Sequence, residues 1–281
     1  MPDGSPWPRV SIVTPSYNQG QFIEETIRSV LLQGYPNLEY IIMDGGSTDE
    51  SVSIIRNYES WLSYVRIGPD EGQAAALAEG FNHATGRILA WLNSDDRYHL
   101  GTLARVARFF SRHRGVVFTN GDVNIVDAHG RFVLRSYAIR PNRLFAANLP
   151  VHGWPQPGCF WRRRVYEQVG GIDRSLQFSM DRDLFIRLIE AGPSRTIPGQ
   201  SLADFRTHSL AKSSTLQDVQ AREDQIVIAR YENPRYRSVK WLLRFLWWIW
   251  CKPKGLQARL HELLGATDGQ RTNKVRKREA L

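Results

Sequence analysis

What most constrains this chain is an alternation in its first hundred residues: an apolar run that stops at a polar cluster, then apolar residues at helical spacing, four times over. Arg9 to Thr14 (RVSIVT) runs into Pro15-Ser-Tyr-Asn-Gln-Gly20, and Phe22, Ile23, Ile27, Val30 and Leu31 then recur on one helical face. Leu38 to Met43 stops at Asp44-Gly-Gly-Ser-Thr-Asp-Glu50, where Ser47 or Thr48 can cap a helix. A third run around Ser63 to Ile67 leads to Asp70-Glu-Gly-Gln73 and an Ala-rich helix; a fourth, Arg87 to Leu92, ends at Asn93-Ser-Asp-Asp96. Strands alternating with helices predict an α/β fold with a parallel sheet and right-handed crossovers. Such sheets bind ligands beyond the carboxyl ends of their strands, and every one of these polar clusters falls at such an end.

Several classes drop out. No GxGxxG follows the first strand and no GxxxxGK[ST] occurs, so neither dinucleotide nor P-loop chemistry is indicated. A 42% hydrophobic content supplies a core, which excludes wholesale disorder. The two cysteines, Cys159 and Cys251, form no metal or disulfide pattern, so a reducing compartment is expected. The opening MPDGSPWPRV has no apolar leader run, and no stretch approaches the roughly 20 apolar residues of a spanning helix; neither export by a leader nor membrane integration is expected.

Acids dominate the strand ends. Asp95 and Asp96, adjacent after an apolar strand, repel each other unless a cation or a donor network offsets them, and a plain Asn-Ser-Asp-Asp turn is the alternative. A hard divalent ion such as Mg²⁺ or Mn²⁺ enters with one or two carboxylates plus substrate phosphates.

SIVTPSYN (11–18), MDGGSTDES (43–51), DEGQAAALAEGFNHATGRILAWLNSDD (70–96), QPGCFWRRRVYEQVGGIDRSLQFSMDRDLFIRL (156–188) and FRTHSLAKSS (205–214) occur in the order of the blocks of glycosyltransferase family 2, which this chain resembles over about residues 9–214. The resemblance implies a GT-A fold, Rossmann-like with a mostly parallel sheet flanked by helices. Residues 9–120 would form the nucleotide-sugar half and 121–214 the acceptor half, with 1–8 as an extension and 215–281 as a helical, Trp-rich, basic segment. It further implies an inverting transfer from a nucleotide-diphosphate sugar, UDP-linked before dTDP or GDP, in bacterial surface polysaccharide or lipopolysaccharide synthesis.

Carried over residue by residue, the resemblance implies that Pro15, Tyr17 and Asn18 line the nucleoside pocket and that Asp44 accepts from a ring N–H of the base, an Asx turn being the alternative. It implies that Asp70 and Gln73 lie near the nucleotide and sugar, although a helix cap also explains Asp70. Asp95 would face ribose or sugar, and Asp96 would bind Mg²⁺ or Mn²⁺. Asp181 takes the position of the catalytic base; Met180 stands where many members carry Glu, which leaves Asp183 as a rival. Lys212, the one lysine before Lys240, would meet the diphosphate, and His208 the metal or diphosphate. The same fold also accommodates a polyprenyl-phosphate sugar synthase, and an inert membrane-associated binding module remains a third reading.

The formal charge of +9 is not spread evenly: residues 1–234 hold 25 Lys+Arg against 25 Asp+Glu, residues 235–281 hold 12 against 3. A neutral body argues against nucleic acid as partner. Four of nine tryptophans lie within Trp241 to Trp250. Trp with basic residues suits a helix at an anionic lipid surface, so peripheral attachment to the cytoplasmic membrane is expected; docking on the body or on a protein partner are alternatives. The final QRTNKVRKREAL is expected to be a disordered basic end.

Overall fold

The computed structural model describes residues 1, 4–149, 154–249 and 251. The strands are β1 (Val10–Ser16), β2 (Leu38–Asp44), β3 (Tyr64–Ile67), β4 (Ile88–Trp91), β5 (Arg97–Tyr98), β6 (Phe118–Gly121), β7 (Val123–Val126), β8 (Phe132–Ser136), β9 (Cys159–Arg162), β10 (Ser194–Ile197) and β11 (Ala203–Arg206). The helices are α1 (Gly20–Leu31), α2 (Ser51–Asn57), α3 (Gln73–His83), α4 (Thr102–Arg112), α5 (Arg143–Asn148), α6 (Arg163–Gln168), α7 (Met180–Ala191), α8 (Lys212–Thr215) and α9 (Gln217–Tyr231).

Seven strands form the main sheet in the order β10-β6-β9-β4-β1-β2-β3, and β1 pairs in parallel with both β2 and β4. The first four strands are thus the expected doubly wound unit, with the strand order reversing at β1, where a crevice opens beyond the carboxyl ends. β9 departs from it: it runs antiparallel between β4 and β6. β1 is buried along its whole length, which is why its sequence is continuously apolar or small rather than alternating. α1 covers the sheet with Phe22, Ile23, Ile27 and Val30, all buried, each contributing about 1.5–3 kcal/mol. α3 approaches so closely that a Cβ at Gly80 would lie 2.6 Å from Val13 Cγ1, so glycine is required there by contact, not by conformation.

A smaller sheet, β5-β11-β7-β8, controls the site. β5 leaves directly from Asp96 and pairs antiparallel with β11, Tyr98 opposite Ala203 and Arg97 opposite Asp204. This pairing draws residues 206–208 back to Asp95 and Asp96 across some hundred residues of chain.

Two local expectations need correcting. Neither Ser47 nor Thr48 caps α2, whose N-cap is Glu50; Ser47 is taken up by the Asp44 turn, and Asp49 Oδ1 accepts from Ser51 N at 3.0 Å. Asp70 does not cap α3 either: Gly72, at φ 100°, is its N-cap, and Asp70 Oδ1 closes the turn before it by accepting from Gly72 N at 2.7 Å. Residues 1–234 form one compact unit, in which α9 is grouped with the sheet. In the second unit, residues 240–249 are helical; Trp250 and the QRTNKVRKREAL end lie outside the described residues.

Candidate active site

Three clusters gather beyond the carboxyl ends of β1, β2, β3 and β4. The first joins the β1 and β2 ends. Asn18, at φ 50°, accepts on Oδ1 from Thr48 N at 2.8 Å and donates its own N–H to Ser47 Oγ at 2.8 Å. Asn tolerates this left-handed conformation better than most residues. Asp44 is fully buried; Oδ1 accepts from Gly46 N at 3.1 Å and Ser47 N at 2.8 Å, and Oδ2 from Ser47 Oγ at 2.7 Å. The Asx turn is therefore formed, and three of about four lone-pair positions on the carboxylate are in use. Pro15 is buried within β1, whereas Tyr17 stands 62% exposed at the mouth.

The second cluster is a one-way chain of amides at the floor. Lys212 Nζ donates to Gln73 Oε1 at 2.9 Å, Gln73 Nε2 to Asn93 Oδ1 at 2.8 Å, Asn93 Nδ2 to Gln156 Oε1 at 3.4 Å, and Gln156 Nε2 to Trp91 O at 2.9 Å. Lys212 also donates to Gln177 O at 2.7 Å. Burial pulls its ammonium below the ordinary lysine value, against the opposing carboxylates of Glu223, Asp181 and Asp70. Asp70 packs against Gly45, where a Cβ would sit 2.9 Å from its Oδ2. Asp181, half-buried in the first turn of α7, accepts on Oδ1 from Arg182 N at 2.6 Å. The structure thus brings Asp70 and Gln73, Asp181 and Lys212 together from three separate segments.

The third cluster is acidic. Asp96 is 2% exposed; its Oδ1 accepts from Arg206 N at 2.8 Å, while Oδ2 is buried with no hydrogen-bond partner among the described residues. Burial first, and the Asp95 charge second, push this carboxyl well above the usual carboxylate range. Asp95 Oδ2 lies 3.0 Å from His208 Nε2, and Phe22 packs on the His208 ring at 4.7 Å between centroids. Arg206, its guanidinium 4.8 Å over the Phe22 ring, donates Nε to Asp95 O at 2.8 Å. No group of three His, Cys, Asp or Glu able to cage a metal exists among the described residues. The set suits an ion completed by substrate phosphates: a buried carboxylate oxygen lacking a partner, a second carboxylate beside it, and an imidazole.

Asn93, Gln156 and Arg206 complete these clusters but escaped the sequence reading. All three lie inside blocks already singled out, and the two amides carry no pattern of their own. Arg206 is one arginine among many until β5 and β11 pair.

A mostly parallel sheet with this strand order, acidic groups beyond its strand ends and a small second sheet make a GT-A architecture. Solved structures agree on the fold. Staphylococcus aureus TarS 1–349 in complex with UDP-GlcNAc superposes with a TM-score of 0.60 at 16% identity, covering 81% of this chain and 72% of that one. The mannosyltransferase PcManGT of Pyrobaculum calidifontis, in complex with GDP-Man and Mn²⁺, gives 0.58 at 21% identity over 78% and 65%. The family model for glycosyl transferase family 2 matches residues 11–170, more than half of the chain. The chain belongs to that family. Among curated relatives, the putative teichuronic acid biosynthesis glycosyltransferase TuaG of Bacillus subtilis is 38% identical over 105 residues, 36% of this chain and 42% of the relative. An uncharacterized glycosyltransferase of Mycobacterium tuberculosis (strain H37Rv) is 37% identical over 181 residues, 64% of this chain and 68% of the relative.

Proposed function

We propose that this glycosyltransferase moves a sugar, with inversion, from a UDP-sugar to a hydroxyl of a glycan or lipid-linked acceptor in bacterial cell-surface polysaccharide synthesis. The observation that carries this reading is the convergence of Asp70, Gln73, Lys212 and Asp181 beside the Asp95–Asp96–His208 cluster at the strand ends. UDP and UDP-GlcNAc in the TarS complexes, and the polysaccharide named for TuaG, support the donor and the pathway class.

Tyr17, Pro15 and Asn18 would line the nucleoside pocket, and Asp44 would hold their loop through its turn, with its last lone pair left for a base N–H. Asp95 would face ribose or sugar. Asp181 would take the proton of the acceptor hydroxyl while that oxygen bonds to the anomeric carbon and the bond to the diphosphate breaks; such a base contributes about 10²- to 10⁴-fold. Asp183 is a poorer choice because its oxygens are engaged by Arg187, Arg230 and Tyr231. Mg²⁺ or Mn²⁺ would be held by Asp96 with His208, and would supply charge compensation to the departing diphosphate. Lys212 would add a point charge to the same phosphates, whose negative charge would favour the ammonium form against the burial that lowers its pKa. The chain would work on the inner face of the cytoplasmic membrane, attached through the helix at 240–249.

Calorimetry with UDP in the presence and absence of Mn²⁺, combined with UDP release from UDP-glucose, UDP-galactose and UDP-N-acetylglucosamine, tests the reading. Mn²⁺-dependent UDP binding that collapses in Asp96→Ala is the expected result. Absence of UDP binding both with and without Mn²⁺ would overturn the donor assignment.

A further inference from the structure

α9 lies outside both the matched family segment, which ends at 170, and the blocks of the sequence reading, yet it holds the start of the helix that carries Asp181. Glu223, 7% exposed, sends its carboxylate from the middle of α9 to three successive backbone N–H groups ahead of α7. Oε1 accepts from Gln177 at 2.7 Å; Oε2 accepts from Phe178 at 2.8 Å and Ser179 at 2.9 Å. Ser179 is the N-cap of α7 but makes no cap bond of its own, its hydroxyl donating instead to Asp224 Oδ1 at 3.1 Å. Arg182, 4% exposed, donates Nη1 to the same Asp224 oxygen at 3.1 Å and Nη2 to Leu149 O at 2.8 Å. The Gln177 residue is gripped from both sides, its N–H by Glu223 and its carbonyl by Lys212.

We propose that Glu223 is a positioning residue for the reaction: by holding the three backbone N–H groups that lead into α7 and end at its N-cap Ser179, it fixes where the first turn starts and so the direction of the Asp181 carboxylate. The proposal rests on the reading of Asp181 as base. The chain entering a helix sets its first turn only where something holds it: Glu223 binds the N–H groups of Gln177 and Phe178 ahead of α7 and that of Ser179 at its N-cap, a helix-end donor with no intrahelical partner. A carboxylate does so with charge-assisted bonds at the positive end of the helix dipole. Asp181 sits two residues past the N-cap, so its Cα–Cβ vector follows the dihedrals of that turn. A base must reach its proton within hydrogen-bonding distance, and misplacement by about 1 Å costs on the order of 10²-fold in rate.

The test uses the full chain with the UDP-sugar it hydrolyses fastest, measuring kcat and KM for UDP release with water as acceptor, and UDP affinity by calorimetry. Glu223→Ala is expected to lower kcat about tenfold to a hundredfold while KM and UDP affinity stay put. Glu223→Gln, which keeps the volume and one acceptor oxygen, is expected to fall between it and the wild type, and decides the matter if the alanine variant does not fold. Unchanged kcat in a folded Glu223 variant would overturn the proposal, as would loss of kcat and UDP affinity together, which is what general structural support predicts. Asp181→Asn separates the two readings: wild-type hydrolysis there removes the base assignment whatever Glu223 does. A wild-type chain that hydrolyses none of the UDP-sugars removes both.

Discussion

Asp183 lies two positions beyond Asp181 on α7, at 1% exposure, and its oxygens accept from Arg187 Nε at 2.9 Å, Tyr231 Oη at 2.7 Å and Arg230 Nη1 at 3.4 Å. Spacing by two sends these aspartates to different surroundings, one into the crevice cluster and one into the joint between α7 and α9. Removing one partner from a buried ion pair leaves the remaining charges uncompensated, at about 3–5 kcal/mol. Asp183→Ala is therefore expected to lower the free energy of unfolding by about 3 kcal/mol in urea titrations, whereas Asp181→Asn moves it by less than about 1 kcal/mol. Comparable losses from the two variants would contradict this division. The sequence showed both acids and could not rank them, because what separates them is α9, some forty residues downstream.

At the scale of elements, Glu39 in β2 fastens two strands to the turn after α3. Its carboxylate accepts from Ser11 Oγ of β1, from Thr85 N and Thr85 Oγ1, both at 2.7 Å, and pairs with Arg9 Nη1 at 3.5 Å. Burial works against the charged form, but the bonds from Ser11 and Thr85 and the Arg9 charge outweigh it, so the pKa is lowered below the ordinary glutamate value. A folded-state pKa below the unfolded one gives stability that is present above about pH 4.3 and lost as pH falls through the folded value. Glu39→Gln is expected to lower the urea midpoint at pH 7 by the equivalent of about 1–3 kcal/mol, with the gap to wild type closing below about pH 4. A gap that stays constant down to pH 3 would show that the carboxylate charge plays no part. Elements of this kind were legible beforehand. β1 through β4 fell where the apolar runs put them to within one or two residues, each followed by a helix or, after β4, by the short β5, because local burial fixes the strand pattern. The small sheet was not legible, since β5 has two residues and its partner β11 lies a hundred residues on.

On the scale of the whole molecule, residues 1–234 and 235–281 are separate compact units, and the charge imbalance falls in the second. Within its helix, Trp241, Leu242, Phe245, Leu246, Trp248 and Ile249 are all exposed, and at 100° per residue they occupy one arc of about 160°. Lys240 and Arg244 project from outside that arc, the pattern of a helix lying in a lipid interface. No helix among the described residues is long and apolar enough to cross a membrane. The full chain is expected to co-sediment with phosphatidylglycerol-containing vesicles, more weakly at high salt, and the triple variant Trp241→Glu, Phe245→Glu, Trp248→Glu to remain in the supernatant. A chain ending at Pro234 is expected to keep the urea midpoint and UDP affinity of the full chain. Equal sedimentation of the triple variant would remove the lipid assignment.

The sequence by itself determined the alternating α/β framework, the strand ends where polar groups would collect and the family, because each depends on periodicity or on short ordered blocks. Tertiary structure decided which of those polar groups meet. Pairing of β5 with β11 set Arg206 and His208 against Asp96 and Asp95; packing of α9 on α7 put Glu223 over the helix of Asp181; the path of α8 delivered Lys212 to Gln73. These contacts join segments from about 45 to more than a hundred residues apart, and at such distances a sequence carries composition but no register.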